Sequence, residues 1–430
     1  MLKKISGGMV VTIALLITGN LVGAGILGLP VQAGLDGFIP TLVGMLVVAG
    51  AMFFTAIILG GEAVRTRQET FNYPSLYHEY LGFAGKWIAI IANLLILYGL
   101  LTAYLTGATT IIVNLLPFHV SSTGVLLVFF LVITALAVTG LKGVRKYNVL
   151  LMLLMWVSFA IIVIMAEKYV VAKRLMRTDW GLLPLALPVI ITSFHFHNII
   201  PNICRGLKWD MRVISRTMLL GLVIGYLMNA IWTQVGIGAL PVSSGDTSLV
   251  FAFQHSFPAT VPLAKEVGSP LFSVCALLFA LLAITTSYLA NGIGLTGFIR
   301  DLTENHFGIR SRFAVIALSF GPPLVISLIW PDIFLKALSV VGGIGIVILF
   351  GILPCVISLK RARSTFAKVF STVVLILFSA FLVYQLGEEV GLISSTPDID
   401  KLKISFAEKY KDPDEKKVPP ATTRPLQSPA

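Results

Sequence analysis

Two histidines, His195 and His197, lie in Thr192-Ser193-Phe194-His195-Phe196-His197-Asn198-Ile199-Ile200-Pro201-Asn202, within a run otherwise apolar enough to cross a bilayer. Ionisable side chains at that depth are costly and mark substrate or proton pathways. Histidine changes charge near neutral pH, so either ring could carry a proton. At spacing i, i+2 the rings lie about 200° apart on a helix and on opposite sides of an extended chain, so at most one should face a cavity directly. The plainer alternative is a pair of neutral histidines bonded to neighbouring helices, with Phe194 and Phe196 as packing rather than pocket walls. A second polar group, Thr285-Thr286-Ser287-Tyr288-Leu289-Ala290-Asn291-Gly292, could complete an oxygen shell for a cation, or its hydroxyls could bond back to their own helix. Tyr98, Thr102 and Tyr104 are weaker candidates for facing the same site. Glu62 ends an apolar run and could join a gate network, carry a proton or simply be solvated.

The element that would draw these groups together is Gly19-Asn20-Leu21-Val22-Gly23-Ala24-Gly25-Ile26-Leu27-Gly28-Leu29-Pro30, inside the first long apolar run. Glycine costs about 1 kcal/mol in a helix interior and proline about 3, so four glycines and a proline here predict a helix that opens. Within hydrocarbon an unwound backbone is tolerated only where it is buried in protein or lines a wet cavity. A second half-helix starting near Ile26 would aim its first N–H groups at an anion, for which a substrate carboxylate is the natural guest. Asn20, Gly23, Ala24, Gly25 and Ile26 are the expected contacts. Close helix packing through small residues is the competing explanation.

At 57% hydrophobic and 12% charged, against about 25% charged for soluble domains, the chain reads as an all-α integral membrane protein. A span needs about 20 apolar residues. Eleven segments qualify: roughly 9–29, 38–60, 87–115, 123–141, 148–166, 183–203, 217–239, 271–299, 313–330, 334–358 and 367–387. With the N-terminus in the cytoplasm, nineteen Lys and Arg fall in cytoplasmic loops and six in the opposite ones, leaving the C-terminus outside. The loop around 167–179, with Lys168, Lys173, Arg174 and Arg177, breaks that pattern locally. Cys204, Cys275 and Cys355 have neither metal-ligand spacing nor a disulfide framework. The first apolar run is too long for a signal peptide and is not followed by a convincing cleavage site, so it should remain as helix one. No aromatic-interleaved basic patch suggests nucleic acid; no cofactor is expected. Residues 391–430, rich in Lys, Asp, Glu and Pro, read as a disordered tail.

The break in span one has its counterpart in span six. Pairing spans 1–5 with 6–10 gives an offset of roughly 172 residues at the breaks and about 179 to 190 at the following span starts. Five spans per half make the second half enter the membrane in the opposite direction, a 5+5 inverted repeat (9–167 and 183–358) with an extra helix at 367–387. Interrupted segments in matching positions of such halves point to a secondary transporter's site. A channel would need a continuous polar lining, which the spans lack, and an intramembrane hydrolase a convergent catalytic set, which is absent.

The segments GNLVGAGILGLP at 19–30, TSFHFHNIIPNI at 192–203 and TSYLANGIGLTGFIRD at 286–301 resemble the hydroxy and aromatic amino acid permease family, of the amino acid–polyamine–organocation superfamily. The resemblance covers about residues 7–390. It implies a leucine-transporter-like fold with helices one and six broken, a site in the inner membrane, and proton-driven uptake of an aromatic amino acid (tyrosine, tryptophan or phenylalanine). It also implies that the break in span one binds the substrate's amino and carboxylate groups while Ser193, Phe194, His195 and His197 complete the pocket; Tyr98 and Asn291 are further substrate-site candidates, read from their spans alone. Family members often carry a small residue where His195 stands, which points to a smaller or differently polar pocket here. Coupling-ion candidates are His195, His197 and Glu62 for a proton, and Thr285, Thr286 and Ser287 for sodium. A serine- or threonine-type neutral amino acid permease is the runner-up. The partners expected are substrate, proton and membrane lipid.

Overall fold

The computed structural model describes residues 6–67, 72–139, 142–361 and 364–393, which form helices and turns with no strand among them. The tail expected to be disordered lies outside the described residues beyond Ile393. The chain begins with α1 (Gly7–Leu21) and α2 (Ala24–Gln32), which meet at a 51° bend. Next come α3 (Phe38–Thr66), α4 (Tyr73–Leu115), α5 (Ser122–Thr139) and α6 (Lys142–Glu167). A short α7 (Ala172–Leu175) leads to a second interrupted pair, α8 (Leu183–Ser193) and α9 (Ile200–Gly206), and then to α10 (Met211–Ala239). Two small helices, α11 (Leu249–Gln254) and α12 (Thr260–Val267), precede α13 (Pro270–Phe307) and α14 (Arg312–Ile329). Then α15 (Phe334–Val340) runs through a π-helical stretch, Val341–Ile352, into α16 (Leu353–Arg361), and α17 (Thr365–Glu389) follows.

Among the described residues nine helical runs are long and apolar enough to cross a membrane, and the bent α1–α2 pair makes ten. The remaining expected span, 148–166, falls on α6, of which Leu151–Glu167 is a shorter apolar stretch. The helix expected over 87–115 begins much earlier, at Tyr73, with a kink where Gly82 adopts φ 65°. Burial separates centre from periphery. The Trp180–Gly206 and Phe334–Arg361 runs are each 72% buried, whereas α5 and α17 are each 22% buried and present Val128, Leu131, Val373 and Val383 outward, as lipid-facing helices do.

Small residues let the central helices touch. A Cβ on Gly221 of α10 would lie 2.7 Å from Ile17 Cβ of α1. Gly342, in the π-helical stretch, has the Pro188 carbonyl of α8 where its own Cβ would be. Proline 188 and Pro30 sit inside helices, where each removes one backbone donor.

Because the spans alternate in direction, the structure has an N-terminal face, where α1 starts, and a far face. The basic residues around 167–179 that run against the charge pattern have structural work on the far face. Arg174 Nη1 donates to the Ala239 carbonyl (2.7 Å), at the end of α10. Arg177 Nη1 donates to the Leu35 carbonyl (2.7 Å) and its Nη2 to the Gly34 carbonyl, just past the end of α2. Helix ends leave carbonyls without intrahelical partners, and cations there also meet the negative end of the dipole. Between α11 and α12 the turn Phe257–Thr260 is buried, and its Ala259 N–H donates to the Leu27 carbonyl of α2 (2.8 Å).

Candidate functional site

The two interrupted helices touch at their breaks. Gly23 is extended (φ −87°, ψ −150°) and precedes α2 without a side-chain cap, so the first N–H groups of α2 lack intrahelical acceptors. Gly25 lies against Ser193, the last residue of α8: a Cβ there would be 2.7 Å from Ser193 Oγ, 2.9 Å from its Cα and 3.0 Å from its N. The glycine expected to leave room for a substrate thus leaves room for the other break.

Beside this junction is a cavity of about 180 Å³. Asn20, Gly23 and Gly25 line it from the first break, Thr192, His195 and Asn198 from the second, and Thr286, Ser287 and Asn291 from α13. Leu100 and Tyr104 of α4 and Met152 and Met155 of α6 complete the wall. The lining runs from the breaks towards the N-terminal face, through Leu16, Gly19, Asn198 and Ala290.

The histidines divide the work between them. His195 lines the cavity, is 5% exposed, and its Nε2 has no partner among the described residues. His197 does not line it: its Nε2 pairs with Thr55 Oγ1 of α3 at 3.0 Å, and its carbonyl accepts from the Tyr73 hydroxyl. The rings are not on opposite sides, however. They are parallel within 2° at 6.0 Å, and each stacks 5.0 Å from Phe350 of the π-helical stretch. The backbone between the helices is neither α-helical nor extended, with a 3-10 turn at His197–Ile199, so neither periodicity held. Asn198, unremarked in the sequence beyond its place in the break, also reaches the cavity, with its Oδ1 unpaired among the described residues.

Other candidates lie elsewhere. Phe194 is buried against Tyr226, Phe196 packs beside His197, and Ile26 is core; none lines the cavity. Ser193 donates back to the Val189 carbonyl (2.8 Å), and of Ala24 the structure describes only the backbone. Tyr98 turns to α14, donating to the Leu318 carbonyl (2.7 Å), whereas Tyr104 accepts from Asn291 Nδ2 (3.2 Å) at the cavity. Thr286 Oγ1 donates to the Leu282 carbonyl (2.8 Å), as the plainer reading of that cluster expects, and Thr285 does not line the cavity. Ser287 approaches the first break: its Oγ is 3.1 Å from where a Gly23 Cβ would be. Glu62 is far from these groups. It is 2% exposed on the N-terminal face and is held by Arg361, by Arg65 Nε (2.9 Å) and by the Tyr80 hydroxyl (2.9 Å).

A multi-pass helical membrane protein whose two broken helices meet at a polar cavity is a transport protein of the permease type. The comparisons with known proteins make this specific. The chain matches the tryptophan/tyrosine permease family over residues 6–391 and belongs to it. It is 29% identical over 337 residues to tyrosine-specific transport system 1 of Haemophilus influenzae, covering 76% of this chain and 82% of that one. It is 25% identical over 421 residues to that organism's tryptophan-specific transport protein (89% and 96% covered). Glutamine transporter 2 of Aliivibrio fischeri is 24% identical over 344 residues (78% and 84% covered).

Proposed function

We propose that this permease imports an aromatic amino acid, tyrosine or tryptophan, with protons, by alternating access across the cytoplasmic membrane. The observation that carries the reading is the meeting of the two breaks at Gly25 and Ser193 beside the cavity. There the first turn of α2 offers N–H groups to a carboxylate, while the carbonyl ends of α1 and α8 suit an ammonium group. The zwitterionic part of the substrate is thereby held by backbone, leaving its side chain to Leu100, Met155, Tyr104, His195 and Asn291.

In this reading the chain has eleven spans in a 5+5 inverted repeat, with its N-terminal face in the cytoplasm and its C-terminus outside. The cavity lining, which runs towards the N-terminal face, corresponds to an inward-facing state with the α11–α12 turn closing the outside. The coupling proton is assigned to the His195–His197 pair, buried between α3, α8 and the π-helical stretch. Sodium coupling through Thr286, Ser287 and carbonyls of the first break is the second reading, favoured by the approach of Ser287 to Gly23.

Uptake into proteoliposomes with a panel of labelled amino acids tests the substrate. Tyrosine and tryptophan should compete at least about tenfold better than serine, since a large apolar surface enters at about 25 cal/mol per Å². Competition by serine or glutamine alone would replace the aromatic assignment. In sodium-free vesicles, acid outside should drive accumulation; a strict sodium requirement with no response to pH would move coupling to α13.

A further inference from the structure

On the far face the turn Gly34-Leu35-Asp36-Gly37 carries α2 into α3, and Asp36 within it has no exposed surface. Its Oδ1 is 3.0 Å from the Thr41 hydroxyl, and its Oδ2 has no partner among the described residues. A threonine hydroxyl has one proton to donate. That of Thr41 also lies 2.7 Å from the Gly37 carbonyl and 3.1 Å from the Ala33 carbonyl, and carbonyls only accept. Asp36 thus shares the single Thr41 proton with two carbonyls while its Oδ2 is buried without a partner, a setting in which a carboxylate charge is costly and the protonated form is favoured.

The nearby cation is directed elsewhere. Arg177, buried on the segment leading into α8, donates to the Gly34 and Leu35 carbonyls. Arg177 and Asp179, of opposite sign and on the same segment, are the charged side chains acting on Asp36. Its other surroundings are Thr41 of α3 and the apolar contact between Leu35 and Val250 of α11. Burial outweighs the Thr41 hydrogen bond, the hydrogen bond from the carboxyl's own backbone and the Arg177 charge, all of which favour the ionised form; with Asp179 adding to it, burial lifts the carboxyl from 3.8 to about 8.

The turn is also a joint. The Asp36 carbonyl accepts from the Asp179 N–H (2.8 Å), tying α2 to the lead-in of α8, while Leu35 rests on α11 and Leu27 holds Ala259. Helix α2, the lead-in of α8 and the α11–α12 region are therefore tied together around one buried acid.

We propose that Asp36 is a proton-binding site that locks this far-face joint, protonated while the joint is closed and ionised once the joint opens to water. Closing takes up one proton from the far-face solution, so acid on that side favours closure. Between the ordinary carboxylate range and about pH 8 the open joint is ionised and the closed one protonated, so rising pH across that interval disfavours closure. The inference rests on the alternating-access reading above, and it is separate from the histidine pair.

The test reads the joint directly. Phe257→Cys places a thiol within the buried turn, where the native side chain is 7% exposed, and Gln254→Cys, on exposed surface of α11, reports the change in thiolate fraction with pH. The three native cysteines are buried. In full-length reconstituted protein, the ratio of maleimide labelling rates, Phe257→Cys over Gln254→Cys, should rise about fivefold or more from pH 5.5 to 8.5. Adding Asp36→Asn, which keeps the shape and an acceptor for Thr41 but cannot ionise, should hold the ratio at its pH 5.5 value. A flat ratio with Asp36 present overturns the proposal by itself, even where the Asn variant does not fold; so does a ratio that still rises in the Asn variant. Binding of labelled tyrosine, measured in the same preparation, reports on the transport reading alone, so failure of either is recognised separately.

Discussion

The two breaks are built differently. Between α1 and α2 only Val22 and Gly23 intervene, and the residues there bring small size and exposed backbone. Between α8 and α9 the gap runs from Phe194 to Ile199 and is filled with large side chains, two of them stacked imidazoles backed by Phe350. In the proposed transport reading the first break would supply oriented dipoles that any amino acid backbone can use, and the second would supply side chains that distinguish one substrate, or one protonation state, from another. Chemistry common to all substrates would then be written in the backbone, and chemistry that differs in groups that can be exchanged without moving it.

The sharpest way to break this comparison is at the contact itself. Gly25→Leu should abolish substrate binding and also lower the thermal stability of the purified protein, because its Cβ already meets Ser193 backbone atoms at 2.9 and 3.0 Å. Overpacking of this kind costs about 1–3 kcal/mol or more, and Gly25→Ala should show the smaller version of both effects. An alanine variant with unchanged binding and melting would mean that the breaks do not lean on each other.

Next in size is His197→Gln. Glutamine can still reach Thr55 across the 3.0 Å hydrogen bond but cannot titrate, so pH-driven accumulation should be lost while exchange of labelled for unlabelled substrate persists. Loss of exchange as well would make His197 a structural residue. The smallest effect is expected from His195→Gly, which removes a ring from the cavity wall and leaves the backbone site in place. Competition measurements should show a broader range of accepted side chains, with the preference among substrates changing by about tenfold, or 1.4 kcal/mol. If Gly25→Ala altered selectivity and His195→Gly altered only overall affinity, the division between the breaks would be reversed.

Much of this plan was legible in the sequence because its signals are local. Glycine, proline and ionisable residues out of place in apolar runs mark both breaks without any knowledge of their partners. What escaped depends on long-range contacts. Phe350 sits in an apolar run like any other phenylalanine, and only the fold brings it against both histidines. Gly25 read as space for a ligand, and it does line the cavity, but the sequence cannot say that it also makes room for Ser193. Tyr98 and Tyr104, on one helix, turn to different neighbours, and nothing in their spacing alone says which one meets Asn291. Asp36 did carry a usable signal, a carboxylate next to an apolar helix end between two glycines, but short loops between spans are expected to be wet, and the α11 contact that dries this one is more than 200 residues away.

Arg174 and Arg177 have a consequence for biogenesis. With the N-terminal face in the cytoplasm, as proposed above, a newly made chain would present them in a far-face loop together with Lys168 and Lys173, a cluster of positive charge that membrane insertion resists carrying across. In the finished protein the two guanidiniums are bound to carbonyls at the ends of α10 and α2. Since α10 is synthesised after the loop, Arg174 must wait for its acceptor. The loop's instruction to stay behind therefore fades as the helices assemble, and replacing both arginines with leucine would ease translocation at the expense of two helix ends left unlatched.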